Sequence, residues 1–394
     1  MRGMRATSLV LVAVVVIAVR LGAAHTPVPS AVRESDQELA AAINQLGAFE
    51  FSTRLAASRT VRRAAPAQAV LALTAAARSH ADSFVQYRAL VLLAGFDDPS
   101  TPAVMESLIA DRNDRIRAVV FAWYEHHRSA AIVPALIAAL PREVSEFVRP
   151  SLTRALAAQN DARAQAVLLP LVSSGEDFFR AEVIQALGDY HVTAAGPAIL
   201  AVARLDGPLG DDAVLALGKL GDVAVLDVLA QLQRSVPRER QPAIAAAICL
   251  LGVNCDAHHK YLADTLGFAA DTAGYQLLLR STARALSALA GRGDQAAITA
   301  LLDVGIPAGD ASRAPVALAL GAAAVRNPAA LLSALGACTQ QSAAIELLRD
   351  AFDMLEEDFE EELFYVDVRR AYWASAEGSA ARRLAEAVIQ KLEF

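Results

Sequence analysis

The sequence predicts an all-α chain built as an α-solenoid, a superhelix of about nine to ten stacked helix pairs closed by a C-terminal capping helix. Three observations point that way. Apolar residues recur at helical spacing in paired segments of roughly a dozen residues, each broken by clusters of Gly, Pro, Asp or Asn. Hydrophobic residues make up 55% of the chain and aromatic ones only 6%. The surplus is alanine and leucine, which favour close-packed helices over strands. Finally, one stretch of sequence returns at a fixed phase.

The repeat is clearest in the second segment of each pair. Arg180-Ala181-Glu182-Val183-Ile184-Gln185-Ala186-Leu187-Gly188 recurs in large part as Arg313-Ala314-Pro315-Val316-Ala317-Leu318-Ala319-Leu320-Gly321. Both copies set arginine eight residues before glycine, with Ala-Leu directly ahead of that glycine. Gly218, after Ala216-Leu217, and Gly252 hold the same place in the units between. The phase marks arginine slots at Arg54, Arg88, Arg117, Arg149, Arg180, Arg280 and Arg313, while Gly210 and Ile244 fill the slots of two middle repeats. An acid stands six residues ahead of the arginine in three consecutive copies, as Asp82, Asp111 and Glu143. That fixed offset favours structural pairing over anion binding.

These residues resemble HEAT repeats, and the Ala-Leu-Gly-Lys-Leu-Gly-Asp run at 216–222 is similar to the HEAT-like repeats of phycobilisome lyases. The resemblance covers about residues 36–350 and speaks to fold, not function. It implies a polar ladder between neighbouring units, interrupted where Gly210 and Ile244 cannot carry a charge. Independently of it, a helix pair with one apolar face buries that face only by stacking on its neighbours. The glycine after Ala-Leu suits a left-handed turn ending a helix, and Pro102, Pro197, Pro242 and Pro328 fall where a helix start tolerates a missing N–H. Helix pairs are expected at 36–63, 66–96, 101–127, 131–158, 163–190, 194–221, 223–253, 257–290, 295–325 and 328–356, with a cap over 376–392.

The N-terminus reads Met-Arg-Gly-Met-Arg, then an apolar run from Leu9 to Val19, then Gly22-Ala23-Ala24. This is the pattern of an export signal over 1–24, with an uncleaved membrane anchor as the alternative. The apolar run is well short of the roughly 20 residues that span a bilayer. Residues 25–35 read as a linker, 36–356 as the solenoid and 357–394 as an acidic segment with its cap. The expected location is periplasmic or extracellular, with membrane contact only through the N-terminal segment. Lysine occurs only at Lys219, Lys260 and Lys391, which fits the arginine-rich codon use of a GC-rich bacterial genome. The net charge of -7 with scattered arginines lacks the basic footprint of a nucleic-acid partner.

Catalytic constellations are not found. The sequence contains no Gly-x-Ser-x-Gly, phosphate loop or dinucleotide fingerprint. It also lacks the His-Glu dipeptides with which deoxyhypusine hydroxylases, HEAT-like enzymes, hold iron. Glu125-His126-His127 lies at a helix end, where histidine interacts favourably with the dipole. Cys255, His258 and His259 have a zinc-compatible spacing, but two further ligands are needed and none stands nearby in the sequence. Cys249 and Cys255 either close a small loop disulfide or serve as small apolar fillers, and with Cys338 they make no disulfide framework. No cofactor is expected.

The acidic stretch 350–367 is the most unusual local feature. It carries Glu356, Glu357, Asp358, Glu360, Glu361 and Glu362, while Phe352, Leu355, Phe359 and Leu363 fall at helical spacing. It predicts one amphipathic acidic helix, either a solvated outer face or a docking surface for a basic partner or calcium. The expected function is a non-enzymatic scaffold that holds a protein or peptide partner in the bacterial cell envelope. The alternatives are a HEAT-like lyase or protein-modifying enzyme, or the regulatory subunit of a neighbouring enzyme.

Overall fold

The computed structural model describes residues 36–355 and 357–394. The proposed signal and linker, and Glu356, lie outside the described residues. Ten helix pairs follow one another. They are α1 (Asp36–Gln45) with α2 (Phe51–Arg63), α3 (Pro66–Ser79) with α4 (Ser83–Ala94), α5 (Thr101–Leu108) with α6 (Asp114–His126), and α7 (Val133–Ala139) with α8 (Arg149–Ala158). Next come α9 (Ala162–Leu168) with α10 (Asp177–Asp189), α11 (Gly196–Ala203) with α12 (Pro208–Leu220), and α13 (Leu226–Ser235) with α14 (Gln241–Leu250). The last are α15 (Cys255–Asp271) with α16 (Gln276–Ala290), α17 (Gln295–Gly305) with α18 (Asp310–Arg326), and α19 (Pro328–Ala337) with α20 (Gln341–Leu355). Two further helices end the chain, α21 (Asp358–Ala374) and α22 (Ala380–Leu392). No strand occurs among the described residues. The fold is an all-α solenoid.

The helix starts are set by local chemistry. Pro102, Pro197, Pro242 and Pro328 all sit in the first turn of a helix, where a missing N–H removes no bond. The side chains of Asp82, Asn113, Asp161, Asp294 and Asn327 each accept a backbone N–H of the turn they open. From α4 to α20 each second helix packs on the next, whereas first helices meet their neighbours sparsely. The second helices therefore form a continuous inner layer and the first helices fan out around it. Leu187 and Leu320 lie in that layer with 0% exposure.

Glycine's role differs from the sequence expectation. Of the four repeat glycines Gly188, Gly218, Gly252 and Gly321, only Gly252 adopts the left-handed backbone, with φ 79°. Gly188, Gly218 and Gly321 lie inside helices, at the points of closest approach to the next second helix. A Cβ on Gly188 would stand 2.9 Å from the Cα of Ala216, and one on Gly218 would stand 2.6 Å from the Cα of Ala247. On Gly321 it would meet the Cβ of Ala351 at 2.9 Å. These glycines admit the neighbouring helix, and Ala-Leu-Gly marks the contact seam.

The arginine slots also do something other than pair with the acid six residues before them. Arg54 donates to the carbonyls of Ala48 and Phe49 at 2.8 and 2.6 Å, and Arg117 to those of Asp111 and Arg112 at 2.8 and 3.2 Å. Arg180 reaches Val172 O at 3.1 Å, and Arg313 reaches Gly305 O and Ile306 O at 3.0 and 3.2 Å. Each thus satisfies carbonyls at the end of the preceding segment, which the helix leaves without partners. A rung between units forms at Arg117, whose guanidinium meets Glu143 at 2.7 and 2.9 Å. Asp82 and Asp111 instead accept local backbone N–H groups, at Phe84 and Asn113. Arg149 stacks on the Phe179 ring at 3.8 Å, and Arg280 is exposed.

Nor is the mid-chain slot empty. Arg240 reaches back from the next unit to Ala203 O at 3.3 Å and Asp211 at 2.7 Å. A Cβ on Gly210 would stand 2.5 Å from the Arg240 Nη2. Glycine at 210 leaves room for a guanidinium supplied from elsewhere, while Ile244 is simply buried core.

The acidic stretch is not one helix. α20 stops at Leu355 and α21 begins at Asp358. α21 then folds back to touch α4 and α6 on one side and α18 and α19 on the other. The coil is thereby closed on itself, and sequence-distant segments meet, which a simple single-file stack does not predict.

Two substitutions test the stacking. Leu187→Ala and Leu320→Ala should each lower the urea unfolding free energy by about 2–5 kcal/mol through cavity formation. Gly218→Ala should also destabilise, by about 1–3 kcal/mol through overpacking, although alanine is the better helix former by about 1 kcal/mol. A gain in stability for Gly218→Ala would show that the helices are not in contact there.

Candidate functional site

The inner faces of the second helices and α21 enclose a cavity of about 390 Å³. Its wall is a set of paired charges contributed by helices far apart in sequence. Asp189, at the end of α10, accepts Lys219 Nζ at 2.6 Å and Arg326 Nη1 at 2.8 Å. Burial pushes the Asp189 carboxyl up, but Arg326 and Lys219 outweigh it and hold the carboxyl down at about 2. Burial conversely presses Lys219 below the ordinary lysine value, against the pull of Asp189. Arg326 and Asp189 are 137 residues apart in the chain, so this cluster ties the two sides of the coil.

A second cluster centres on Glu125 at the end of α6. It accepts Arg154 Nε at 3.0 Å and the Tyr190 hydroxyl at 2.7 Å. Burial and the Glu125 charge both raise Tyr190 well above the ordinary tyrosine value. Next to it, His126 Nε2 stands 3.1 Å from Glu360 of α21. Burial opposes protonation of His126, yet the hydrogen bond and charge of Glu360 prevail and raise it. Glu125, His126 and Glu360 thus present three metal-ligand atoms within 4.8 Å of one another, a grouping that no sequence spacing announces. His127 turns away to stack on Trp123 at 3.9 Å.

The third cluster locks α21 in place. Glu362, with a side chain 2% exposed, meets Arg62 Nη2 at 2.5 Å, and Arg62 is itself only 5% exposed. Arg369 adds a contact at 3.3 Å. Removing one partner of such a buried pair strands a charge, so the pair fixes the geometry tightly. Asp358 pairs with the slot residue Arg88 at 2.7 Å and accepts the Tyr87 hydroxyl. Gly95 makes room for this approach, since a Cβ there would stand 2.8 Å from the Glu362 carboxylate. Glu361 is half-buried, and burial, followed by the Asp358 charge, pushes its carboxyl up to about 7.

The acids expected on an outer or docking face therefore divide. Glu362 and Asp358 are consumed by arginines inside the coil, Glu360 by His126, and Glu361 is drawn toward its neutral form. Among the described ones Glu357 alone is exposed. The sequence reading missed the inward placement because the complementary arginines lie roughly 300 residues away, beyond any helical spacing.

Beside the start of α21 a second, more open pocket of about 280 Å³, the mouth, lies between α6, α8 and α10. Phe147 and Phe178 flank it at 54% and 60% exposure. Five carboxylates line it, from Glu146, Glu182, Glu357, Asp358 and Glu360, against the guanidiniums of Arg115 and Arg154. Asp358 and Glu360 are already paired with Arg88 and His126 and Glu182 lies 4.0 Å from Arg154, so the negative charge beside the apolar flanks comes chiefly from Glu146 and Glu357.

No protein-family model matches the chain, and no curated protein is significantly similar to it. Solved structures with some likeness include the complex of CpcE and CpcF of phycocyanin lyase from a Nostoc species. It is 21% identical, with 66% of this chain and 96% of that chain covered and a TM-score of 0.39. Human deoxyhypusine hydroxylase in complex with glycerol is 16% identical, covering 68% of this chain and 98% of that one, with a TM-score of 0.29. Yeast importin-β is 12% identical over 91% of this chain and 63% of its own, with a TM-score of 0.31. These superpositions are loose and carry no activity or partner to this chain.

Glu361 gives the lock a pH dependence. Its folded value of about 7 lies above its ordinary 4.5. The stability it contributes is complete below the ordinary value and is lost as pH rises through the folded one. Glu361→Gln, which stays neutral, should flatten this loss. Urea midpoints measured at pH 5 and pH 8 should fall more for the native chain than for the variant, and equal slopes would show that Glu361 is not buried beside Asp358.

Proposed function

We propose that the chain is a non-enzymatic scaffold that binds a protein or peptide partner at the mouth beside α21. The observation that carries this reading is the coincidence of Phe147 and Phe178, both largely exposed, with a concave opening rich in carboxylates. Exposed contiguous apolar surface rimmed by polar groups marks interaction sites. Anchor residues that fill such gaps supply most of the affinity, and the surrounding charge sets selectivity and on-rate. The fitting partner is a segment with one or two apolar anchors flanked by lysine or arginine. An export signal at the N-terminus would place this surface in the bacterial envelope. Among the described residues no helix is long and apolar enough to cross a membrane.

A second reading draws on the inner cavity. Tyr190 and Lys219 both line it, which is the polar pocket between adjacent second helices that a HEAT-like lyase or protein-modifying enzyme would need. The scaffold reading is preferred because Tyr190 and Lys219 are each already held by a carboxylate.

Affinity purification from the envelope fraction at several salt concentrations, with cross-links mapped, tests the proposal. The native chain should recover one reproducible partner cross-linked near the mouth, more weakly at high salt because exposed charges are screened. A Phe147→Ala/Phe178→Ala double variant should lose most of it, while Phe49→Ala/Phe51→Ala, on exposed aromatics at the start of the coil, should keep it. Equal recovery by the two double variants, or no reproducible partner, would sink the reading.

A further inference from the structure

The structure supplies what the Cys255, His258 and His259 cluster lacked, and it brings in His259 rather than His258. Cys249 is buried at the end of α14, and Cys255 opens α15. Gly252 and Asn254, with φ of 79° and 48°, turn the chain between them so that both sulfurs face one point. His259 follows Cys255 by four residues and so shares its helix face. The fourth group comes from the next repeat, where Asp294 caps α17. Its Oδ1 is committed to the backbone N–H of Ala297 at 3.0 Å, while Oδ2 points at His259 Nε2, 2.7 Å away. Two sulfurs, one imidazole nitrogen and one carboxylate oxygen thus lie within 4.8 Å of one another.

We propose that, with Cys249 and Cys255 reduced, these four residues form a binding site for a borderline-soft divalent cation, with Zn²⁺ as the best fit. Nitrogen and sulfur donors in a set of four are what this ion takes in tetrahedral geometry, at bonds of about 2.3 Å to sulfur and about 2.0 Å to nitrogen. Bonds of that length put donors about 3.6 Å apart along a tetrahedron edge. The imidazole Nε2 lies 3.7 Å from the Cys249 sulfur and 3.9 Å from that of Cys255, whereas Asp294 Oδ2, now hydrogen-bonded to Nε2 at 2.7 Å, has to swing outward to take its own corner. Thiolates also select against calcium and magnesium, which prefer all-oxygen sites.

The structure joins Cys249 and Cys255 as a disulfide, the first of the two alternatives that the sequence leaves open. Disulfide and metal are alternative uses of the same sulfurs, and passing from the first to the second takes two protons and two electrons, the latter supplied by a thiol or phosphine reductant that is itself oxidised. In the dithiol form each thiol gives its proton to solvent as its sulfur bonds the cation, so uptake releases two protons and needs no change of oxidation state. The donors come from α14, α15 and the cap of α17, and a bound ion would clamp three consecutive repeats.

The test uses the full-length chain, reduced with a phosphine, freed of metal with a chelator, and titrated with Co²⁺ as the probe. One Co²⁺ per chain should bind with a thiolate-to-cobalt charge-transfer band and tetrahedral visible bands, both lost on adding Zn²⁺. Zn²⁺ should also raise the unfolding temperature of the reduced chain. Cys255→Ser should remove most of the charge-transfer intensity. His259→Ala and Asp294→Asn should each weaken binding at least tenfold, the latter keeping the side-chain oxygen that caps α17. The disulfide form should bind nothing at this site. No charge-transfer band in the reduced chain, equal binding by the disulfide form, or indifference to His259 and Asp294 would overturn the proposal.

Discussion

At Gly218 an added methyl group would stand 2.6 Å from the Cα of Ala247, closer than real side chains come to a backbone. That near-contact of second helices, repeated at Gly188 and Gly321, is the constraint from which the architecture follows. Inner helices that approach so tightly, while outer ones fan apart, make each unit a wedge, and a run of wedges coils. Alanine at the facing positions keeps the seam narrow and still buries apolar surface at about 25 cal/mol per Å².

Coiling brings together groups that no local rule connects. Arg326 and Lys219 converge on Asp189, and Arg62, Arg88 and His126 close on Glu362, Asp358 and Glu360 of α21. In the interior these carboxylates are costly unless paired, so α21 belongs where the arginines are. The acidic helix is an internal ligand of the coil, and the surface left over at its N-terminal end is the mouth flanked by Phe147 and Phe178. What that mouth presents is therefore decided by what α21 has already taken.

The fold was legible because its period is local. The expected helix pair over 163–190 and the observed pair, which runs from Ala162 to Asp189, differ by a residue at each end, since apolar spacing and turn residues act within a few positions. The seam glycines were legible as a motif but not in their role. Ala-Leu-Gly is equally compatible with a left-handed helix end and with a close crossing, and only the neighbouring helix decides. Arg240 filling the space at Gly210, and Asp294 joining Cys249, Cys255 and His259, depend on contacts between repeats, which a linear reading does not order.

By itself, then, the sequence determined that the chain is a stack of paired helices and, to within a few residues, where the pairs up to 350 fall, because these depend on spacing along one or two turns. Only the tertiary structure decided that the coil closes on itself, that the acidic helix lies within it, and which distant side chains share a site. Those outcomes rest on curvature summed over ten units and on burial of charges that must find partners. Neither quantity is written in any single segment.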